Sequence, residues 1–282
     1  MSVTHLPNTH YTGLVLDQKK QLLGEGFDWL ANLRKQAAEQ FSASGFPTFR
    51  EEEWRYTNIT PIEKNQFTLP DVAGQVDSAF VDSVLLDDCH HIVFVDGFYQ
   101  AEFSSLKDIP NGVIVSALSD GLVDNEALIK SLLDSVVETP ALGFINFNTA
   151  LFSDGALICI EENTVVDKPI QVAFISSKQG ALTLSNTRNL ILAQASSKAQ
   201  IIETYHAVDD SCYLTNVISE VVVEPNANLS HHRLQSESTS AYHIGGVYSR
   251  LEKNAIFNQN SYTFGASISR TEAHATLGEA SD

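Results

Sequence analysis

The sequence repeats a short corner segment at Ser197-Lys198-Ala199, Pro225-Asn226-Ala227 and Lys253-Asn254-Ala255, at equal intervals, and an alternating apolar stretch follows each copy. Each copy also holds a second strand-like run, at 213–223, 242–251 and 267–277. A unit with two such runs, and without the Asn-Gly or Asp-Gly pair of tight hairpins, is typical of stacked parallel coils. The repeat therefore predicts a mainly β fold, a parallel β-helix, whose broad faces favour docking over pocket chemistry.

A constant interval, as from Asn226 to Asn254, also predicts which side chains stack in successive coils. It places Ile201 on Leu229 in an apolar column. It places Glu203, His231 and Gln259 in a second column, in which every member is polar. We interpret this second column as a solvated face of the solenoid.

Composition and charge exclude several classes of protein. The chain has 282 residues, 17 Lys plus Arg, 35 Asp plus Glu and a net charge of -18. It has no basic cluster that could neutralise several phosphates, so nucleic acid is not an expected partner. The sequence contains no apolar run near the roughly 20 residues that cross a bilayer, and its start has no secretion signal. We expect a cytoplasmic protein without a membrane partner.

The part of the chain before the repeat predicts a smaller mixed α+β domain over 1–145, followed by the β-helix over 146–282, with a boundary between 140 and 155. An amphipathic pattern predicts a helix over 17–41, which Gly45-Phe46-Pro47 ends. The other expected elements are a strand at 91–95, a helix at about 125–136, and strands at 157–161, 170–174, 189–193 and 199–205.

The three cysteines, Cys89, Cys159 and Cys212, are far apart and form no Cys-x-x-Cys pair. Such a sparse, odd set is unlike a disulfide framework or a self-contained metal site. We interpret each as a buried structural thiol, since free cysteine is among the most buried residue types.

Histidines of the solenoid are the other candidate metal ligands. Stacked ligands would need matching positions in successive coils. On the constant repeat interval the five fall at five different positions, so no metal site is assigned; they are His206, His231, His232, His243 and His274.

Three segments, in order, resemble a known family. Residues 45–57, Gly-Phe-Pro-Thr-Phe-Arg-Glu-Glu-Glu-Trp-Arg-Tyr-Thr, resemble the segment near the start of SufD proteins of the SUF iron-sulfur assembly machinery. Residues 148–155, Asn-Thr-Ala-Leu-Phe-Ser-Asp-Gly, resemble the entry of that family into its β-helix. Lys168-Pro169-Ile170-Gln171 follows at the expected distance. The resemblance covers the chain from about residue 20 to its end.

The resemblance implies a right-handed parallel β-helix and a non-enzymatic scaffold subunit that acts with SufB and the ATPase SufC. It implies that the full complex assembles an iron-sulfur cluster transiently, while this chain alone binds no cofactor. No catalytic residue is assigned.

The resemblance also implies that family members continue beyond residue 282, through further coils and a helical region that binds SufC. We therefore expect a truncated β-helix. An uncapped final coil would expose unpaired backbone groups, and such edges pair with other chains. Self-association through the last coil, about 255–277, is the expected result.

The aromatic and charged residues Trp54, Arg55 and Tyr56 form the candidate docking segment. Their residue types are common in interface hot spots. The alternative is structural, because Trp and Tyr also lock one region of a protein onto the next by burying large areas.

A second class of function stays open at this point, a polysaccharide-active hydrolase or lyase. The constant repeat interval places Asp209 and Glu237 in one column of adjacent coils, with backbones about 4.8 Å apart. A retaining glycosidase uses two carboxyl groups about 5 to 5.5 Å apart. Other signatures of catalysis, Gly-x-Ser-x-Gly and the phosphate-binding loop, are absent from the sequence.

Overall fold

The computed structural model describes residues 9–17, 22–137, 143–178 and 182–278. Within these ranges the helices are α1 Thr9–Leu16, α2 Asp28–Ser44, α3 Thr60–Asn65, α4 Ser78–Val84, α5 Leu118–Asp124, α6 Glu126–Leu132 and α7 Gly143–Leu151, with one 3-10 turn at Glu52–Trp54. The strands are β1 His90–Val95, β2 Phe98–Tyr99, β3 Val113–Ala117, β4 Ala156–Ile160, β5 Ile170–Ser176, β6 Leu184–Ala193, β7 Lys198–Ala207, β8 Leu214–Val223, β9 Asn228–Ser236, β10 Tyr242–Leu251, β11 Ile256–Thr263 and β12 Ile268–Leu277.

The strands form two six-stranded sheets in which the chain alternates from one sheet to the other. The first sheet has the order β11-β9-β7-β5-β1-β2 and the second β12-β10-β8-β6-β4-β3. Neighbours from β4 onward pair in parallel, with one coil per pair of strands. The predicted β-solenoid is confirmed, and so are its three second runs, which are β8, β10 and β12.

The coils are not of constant length, and the predicted stacking was partly wrong. Leu229 pairs with Phe257, as the constant interval predicts. Ile201, however, pairs with His231, two positions beyond the expected Leu229. In the other sheet Tyr242 pairs with Ile268, two positions short of the residue that a constant interval would give.

Residues in the left-handed backbone conformation turn the chain at the corners of the coils. Asn226 and Asn254 have φ of 61° and 59°, a conformation that Asn tolerates better than most residues. Their side chains are hydrogen-bonded to each other at 3.2 Å. The corner before them turns at Ser196, with φ 60°. The segment from Ser196 to Asn226 is two residues longer than the segment from Asn226 to Asn254, so the extra residues enter between the first and second corners.

The leading region differs from the prediction at the start of its long helix. α2 begins at Asp28 and not at residue 17, because Gly24 and Gly26 adopt φ of 84° and 99°, which a helix cannot contain. The predicted part at 18–21 lies outside the described residues. The helix ends as expected at Ser44, where Gly45 has φ 70°.

The strand expected at 91–95 is β1, and the helix expected at 125–136 is the shorter α6. A two-residue turn at Asp96-Gly97, with φ of 51° and 85°, joins β1 to β2. Such positive angles at both positions are those of a type I′ hairpin turn.

The leading region and the solenoid share sheets. β1 pairs in parallel with β5, and β3 pairs antiparallel with β4. α4 packs on the outer face of the first sheet, against Val93 and Ala173. α5 and α6 cover the outer face of the second sheet, while the apolar core inside the coils runs from Ile92 to Val247. The division at residue 145 stays a prediction.

Over the described residues, the structure contains no helix with both the length and the apolar character that crossing a membrane requires.

Candidate functional site

A buried polar cluster lies inside the solenoid, around the carboxylate of Glu203. Glu203 is fully buried, and five side chains surround its two oxygens. Oε1 lies 3.2 Å from Asn189 Nδ2, 2.5 Å from Ser219 Oγ and 3.0 Å from His231 Nε2, and Oε2 lies 2.5 Å from Tyr205 Oη and 3.1 Å from Arg233 Nε.

These partners decide the charge of the carboxyl group. Burial by itself raises the pKa of Glu203, but the ion pairs with His231 and Arg233 and the hydrogen bond from Ser219 outweigh it. The pKa of Glu203 therefore lies well below its usual range. A carboxylate whose lone pairs are all engaged, and which holds its charge so firmly, is a poor general base.

The interpretation of this column as a solvated face was wrong for Glu203 and His231, whereas its third member, Gln259, is half-buried and pairs with His231 as expected. Glu203 and His231 are both fully buried, and Glu203 pairs in register with Arg233, two positions beyond His231. On β7 and β9 every second residue points inward, and these polar residues occupy inward positions. The one available signal in the sequence was that Glu203 and Arg233 carry opposite charges and are separated by an even number of residues, so that both side chains can point into the solenoid.

The cluster continues to a second buried carboxylate, Glu237. It accepts hydrogen bonds from Thr215 Oγ1 at 2.7 Å and from Gln235 Nε2 at 3.0 Å, and lies 2.7 Å from His243 Nδ1. The other ring nitrogen of His243 is 3.4 Å from Arg233, which joins the two halves. Burial raises the pKa of Glu237, but the neighbouring His243 and the hydrogen bonds lower it overall.

Gly245 leaves room for the contact between Arg233 and His243, which connects the two parts of the buried cluster. A Cβ atom at Gly245 would lie 2.7 Å from Arg233 Nη2 and 3.1 Å from His243 Nε2. No motif or spacing in the sequence indicated Arg233, Tyr205 or this glycine as part of a site.

The expected pair of stacked carboxylates, Asp209 and Glu237, does not form. His206 pairs with Ser236, so continuing the register puts Glu237 opposite Ala207, two residues before Asp209. Glu237 turns inward to His243, whereas Asp209 accepts a hydrogen bond from Ser211 and lies 3.8 Å from Lys178 Nζ. Asp209 and Glu237 both line one surface pocket of about 290 Å³, but the in-register stack on which the hydrolase interpretation depended is absent from the described strands.

A second buried ion pair fastens the leading region to the solenoid. The guanidinium of Arg188, fully buried, donates to Glu220 from Nε at 2.9 Å and from Nη2 at 2.7 Å. Glu220 also accepts from the backbone N–H groups of Asp134 and Ser135, at 2.7 and 3.0 Å. These charge-assisted bonds hold the loop after α6 on β8.

The candidate docking segment divides into a buried and an exposed part. Trp54 is 2% exposed, its ring stacks on Phe144 of α7 at 5.4 Å, and the guanidinium of Arg270 lies 4.1 Å above it. Arg55 is exposed, and Tyr56 is 91% exposed. Trp54 thus joins the leading region to β12, whereas Arg55 and Tyr56 face outward.

Cysteines and metal ligands contribute no assembled site in the described ranges. Cys89 and Cys159 are buried and Cys212 is partly buried. Burial raises the pKa of Cys159 to about 11, which disfavours the reactive thiolate. Among the described residues, no three or more His, Cys, Asp or Glu side chains come together as a metal site would need.

Comparison with known proteins gives matches over nearly the whole chain. The SufBD protein N-terminal region matches residues 6–172, and the SUF system FeS cluster assembly SufBD core domain matches residues 174–282.

Individual relatives are distant but extensive. An iron-sulfur cluster assembly SufBD family protein of Synechocystis is 25% identical over 94% of this chain and 60% of its own length. The chloroplastic protein ABCI7 of Arabidopsis thaliana is 27% identical over 87% of this chain and 52% of its own. The iron-sulfur cluster assembly protein SufD of Escherichia coli is 24% identical over 86% of this chain and 55% of its own. The chain thus spans between about half and three-fifths of these relatives.

The two matches cover the leading region and the solenoid in the order in which the structure presents them. They confirm the resemblance carried by residues 45–57 and 148–155. The chain belongs to the SufBD family of the SUF system for iron-sulfur cluster assembly.

Proposed function

We propose that this chain acts as a non-enzymatic scaffold subunit of a SUF complex, together with SufB-like and SufC-like subunits. The observation that carries the proposal is the placement of the solenoid's charged residues. Glu203, Arg233 and Glu237 are buried inside the solenoid and hydrogen-bonded to one another, directly or through His243. Such a network rigidifies a fold and leaves its outer faces for partners.

In this proposal the iron-sulfur cluster is the cargo of the complete complex. The chain itself would hold no resident cofactor, and ATP hydrolysis would belong to the SufC-like subunit. Membership of a cluster-assembly family supports this division of labour. A cytoplasmic location stays a prediction, and one relative is chloroplastic.

Affinity purification tests the scaffold. The gene that encodes this chain is tagged at its own locus, and the co-purified proteins are identified by mass spectrometry. We expect SufB-like and SufC-like subunits in the eluate, and no ATP turnover by the tagged protein once they are removed. Robust turnover that persists after their removal would contradict a non-enzymatic role.

The exposed half of the candidate docking segment has its own test. We expect Tyr56→Ala to weaken partner recovery about tenfold, the effect of losing one aromatic hot spot. Val123→Ala is the matched control, because Val123 is 80% exposed and lies on α5, outside the segment. Equal recovery with both variants would assign the segment a structural role only.

A further inference from the structure

The turn that leads into β3 holds a chemically labile pair, Asn111-Gly112. Asn111 is the only asparagine in the sequence that is followed by glycine. It is exposed, and β3 is an end strand of the second sheet, so water reaches the side chain freely. Asparagine side chains are among the thermolabile groups of proteins, and an exposed turn is where they have most freedom to react.

The two reacting groups are not engaged elsewhere. Among the described residues, neither the side chain of Asn111 nor the N–H group of Gly112 has a hydrogen-bond partner. Gly112 also has no Cβ atom that would hinder the approach of its nitrogen to Asn111 Cγ. The main-chain nitrogen of Gly112 can therefore act as a nucleophile towards the side chain before it.

Packing keeps a glycine in this position. Gly112 has φ of 81°, and a Cβ atom there would lie 2.6 Å from Thr164 Oγ1. A larger residue would strain the turn in both respects. The fold thus requires the residue that makes Asn111 reactive.

We propose that Asn111 is a site of spontaneous deamidation through a cyclic imide, and that the product loosens β3. Hydroxide removes the N–H proton of Gly112, and the nitrogen attacks Asn111 Cγ. A C–N bond forms, and the side-chain nitrogen takes a proton from water and leaves as ammonia. Water then opens the imide at one of its two carbonyl carbons, which gives aspartate or isoaspartate.

The net reaction consumes one water, releases the side-chain nitrogen as ammonium and adds one carboxylate, with no change of oxidation state. This modification site goes beyond the scaffold function and does not depend on it.

The loosening of β3 follows from the isoaspartate product, which has one extra carbon atom in the main chain before Gly112. The carbonyl group of Gly112 accepts a hydrogen bond from the N–H group of Glu161 at 2.8 Å, beside the first paired residues of β3 and β4. A displaced main chain weakens this bond, so β3 should open more readily in the modified protein.

Peptide mass spectrometry of the complete chain, aged in mildly alkaline and in mildly acidic buffer, tests the site. We expect about tenfold more conversion at Asn111 than at Asn226 or Asn254, which are also exposed but are followed by Ala227 and Ala255. Conversion should be faster in the alkaline buffer, because the attacking nitrogen must lose its proton. Equal conversion at the three asparagines, or none at Asn111, would overturn the proposal.

Asn111→Gln is the matched variant for the effect on β3, since its longer side chain closes the corresponding ring far more slowly. We expect the aged native protein to exchange the amides of β3 faster than a fresh sample, while β8 stays unchanged. Fresh and aged Asn111→Gln samples should not differ. Exchange in β3 that stays unchanged in fully deamidated native protein, or that rises equally in the aged variant, would overturn the loosening.

Discussion

At the scale of single residues, Glu203 shows how the interior of this solenoid differs from a purely aliphatic one. Its carboxylate is surrounded by five side chains, and Arg233 and His231 are its charge partners. Removing one partner of a buried pair costs far more than the pair contributes, because the other charge stays buried without compensation.

We expect Glu203→Gln to lower the free energy of unfolding by about 3 to 5 kcal/mol, because Arg233 would lose its counter-charge. Urea denaturation followed by circular dichroism measures it. Glu162→Gln is the control, since Glu162 is exposed in a turn, and surface changes usually stay within about 0.5 kcal/mol. A loss below about 1 kcal/mol would mean that the cluster is dispensable for stability.

Asp154 provides a pH-dependent test. Burial raises the pKa of Asp154 to about 6, although hydrogen bonds from Ser119 and Gly155 oppose the shift. Because this pKa is higher in the folded than in the unfolded chain, the folded state binds more protons between about pH 4 and 6. The contribution of Asp154 to stability should therefore increase as the pH falls from 7.5 to 5.

The matched reference for Asp154 is Asp154→Asn, which does not titrate. We expect the stability of the native protein relative to this variant to rise by about 1 to 2 kcal/mol over that pH range. Carboxyl NMR would give the titration midpoint directly. A difference that does not change with pH would show that Asp154 keeps an ordinary pKa.

At the scale of elements, the contact between the 3-10 turn at Glu52–Trp54 and β12 joins distant parts of the chain. Besides stacking on Trp54, Arg270 donates a hydrogen bond to Thr57 Oγ1 at 3.3 Å and lies 2.6 Å from Glu272. The leading region thereby supports an outer strand of the second sheet.

We expect Arg270→Ala to increase amide exchange along β12 about tenfold while leaving β4 unchanged, because the cation–π contact and three hydrogen bonds are lost. Arg250→Ala on β10 is the control, since Arg250 makes a comparable ion pair with Glu252 but does not touch Trp54. Similar exchange in β12 for the two variants would mean that the contacts of Arg270 with Trp54 and Thr57 contribute little to the stability of β12.

The sequence predicted the elements better than their stacking. The strand-like composition of the second run in each repeat placed β8, β10 and β12 nearly to the residue, and Gly45 marked the end of α2. The columns failed because one coil is two residues longer, and another two residues shorter, than the constant interval. An even insertion leaves every side chain on the same face of its strand, so the alternation cannot reveal it. As a result Glu203 was matched to His231 instead of Arg233.

The candidate sites were harder to infer than the fold. A polar column looks the same in sequence whether it meets water or a second set of polar groups, and only the register distinguishes the two cases.

At the scale of the whole molecule, the two sheets are protected unequally along their length. β4 and β5 are buried on both sides, whereas the residues of β11 and β12 are exposed or half-buried. Within the described residues, β11 and β12 are also the outermost strands of their sheets.

We expect faster amide exchange in β11 and β12 than in β4 and β5, because opening an outer strand breaks fewer contacts. Hydrogen exchange with mass spectrometry measures this, and light scattering on the same sample reports whether these edges pair between molecules. Uniformly slow exchange and a strict monomer would show that β11 and β12 are protected in solution.

The order of strands in the sheets has a consequence for synthesis on the ribosome. From β4 onward the strands of both sheets stack in the order in which they are translated, on a first rung made of β1 and β3 from the leading region. Each new coil therefore emerges beside a finished edge that can template it. At about 5 to 20 residues per second a coil takes seconds to emerge, far longer than a β-hairpin needs to form. The nascent chain can thus fold one rung at a time, without waiting for a distant partner strand.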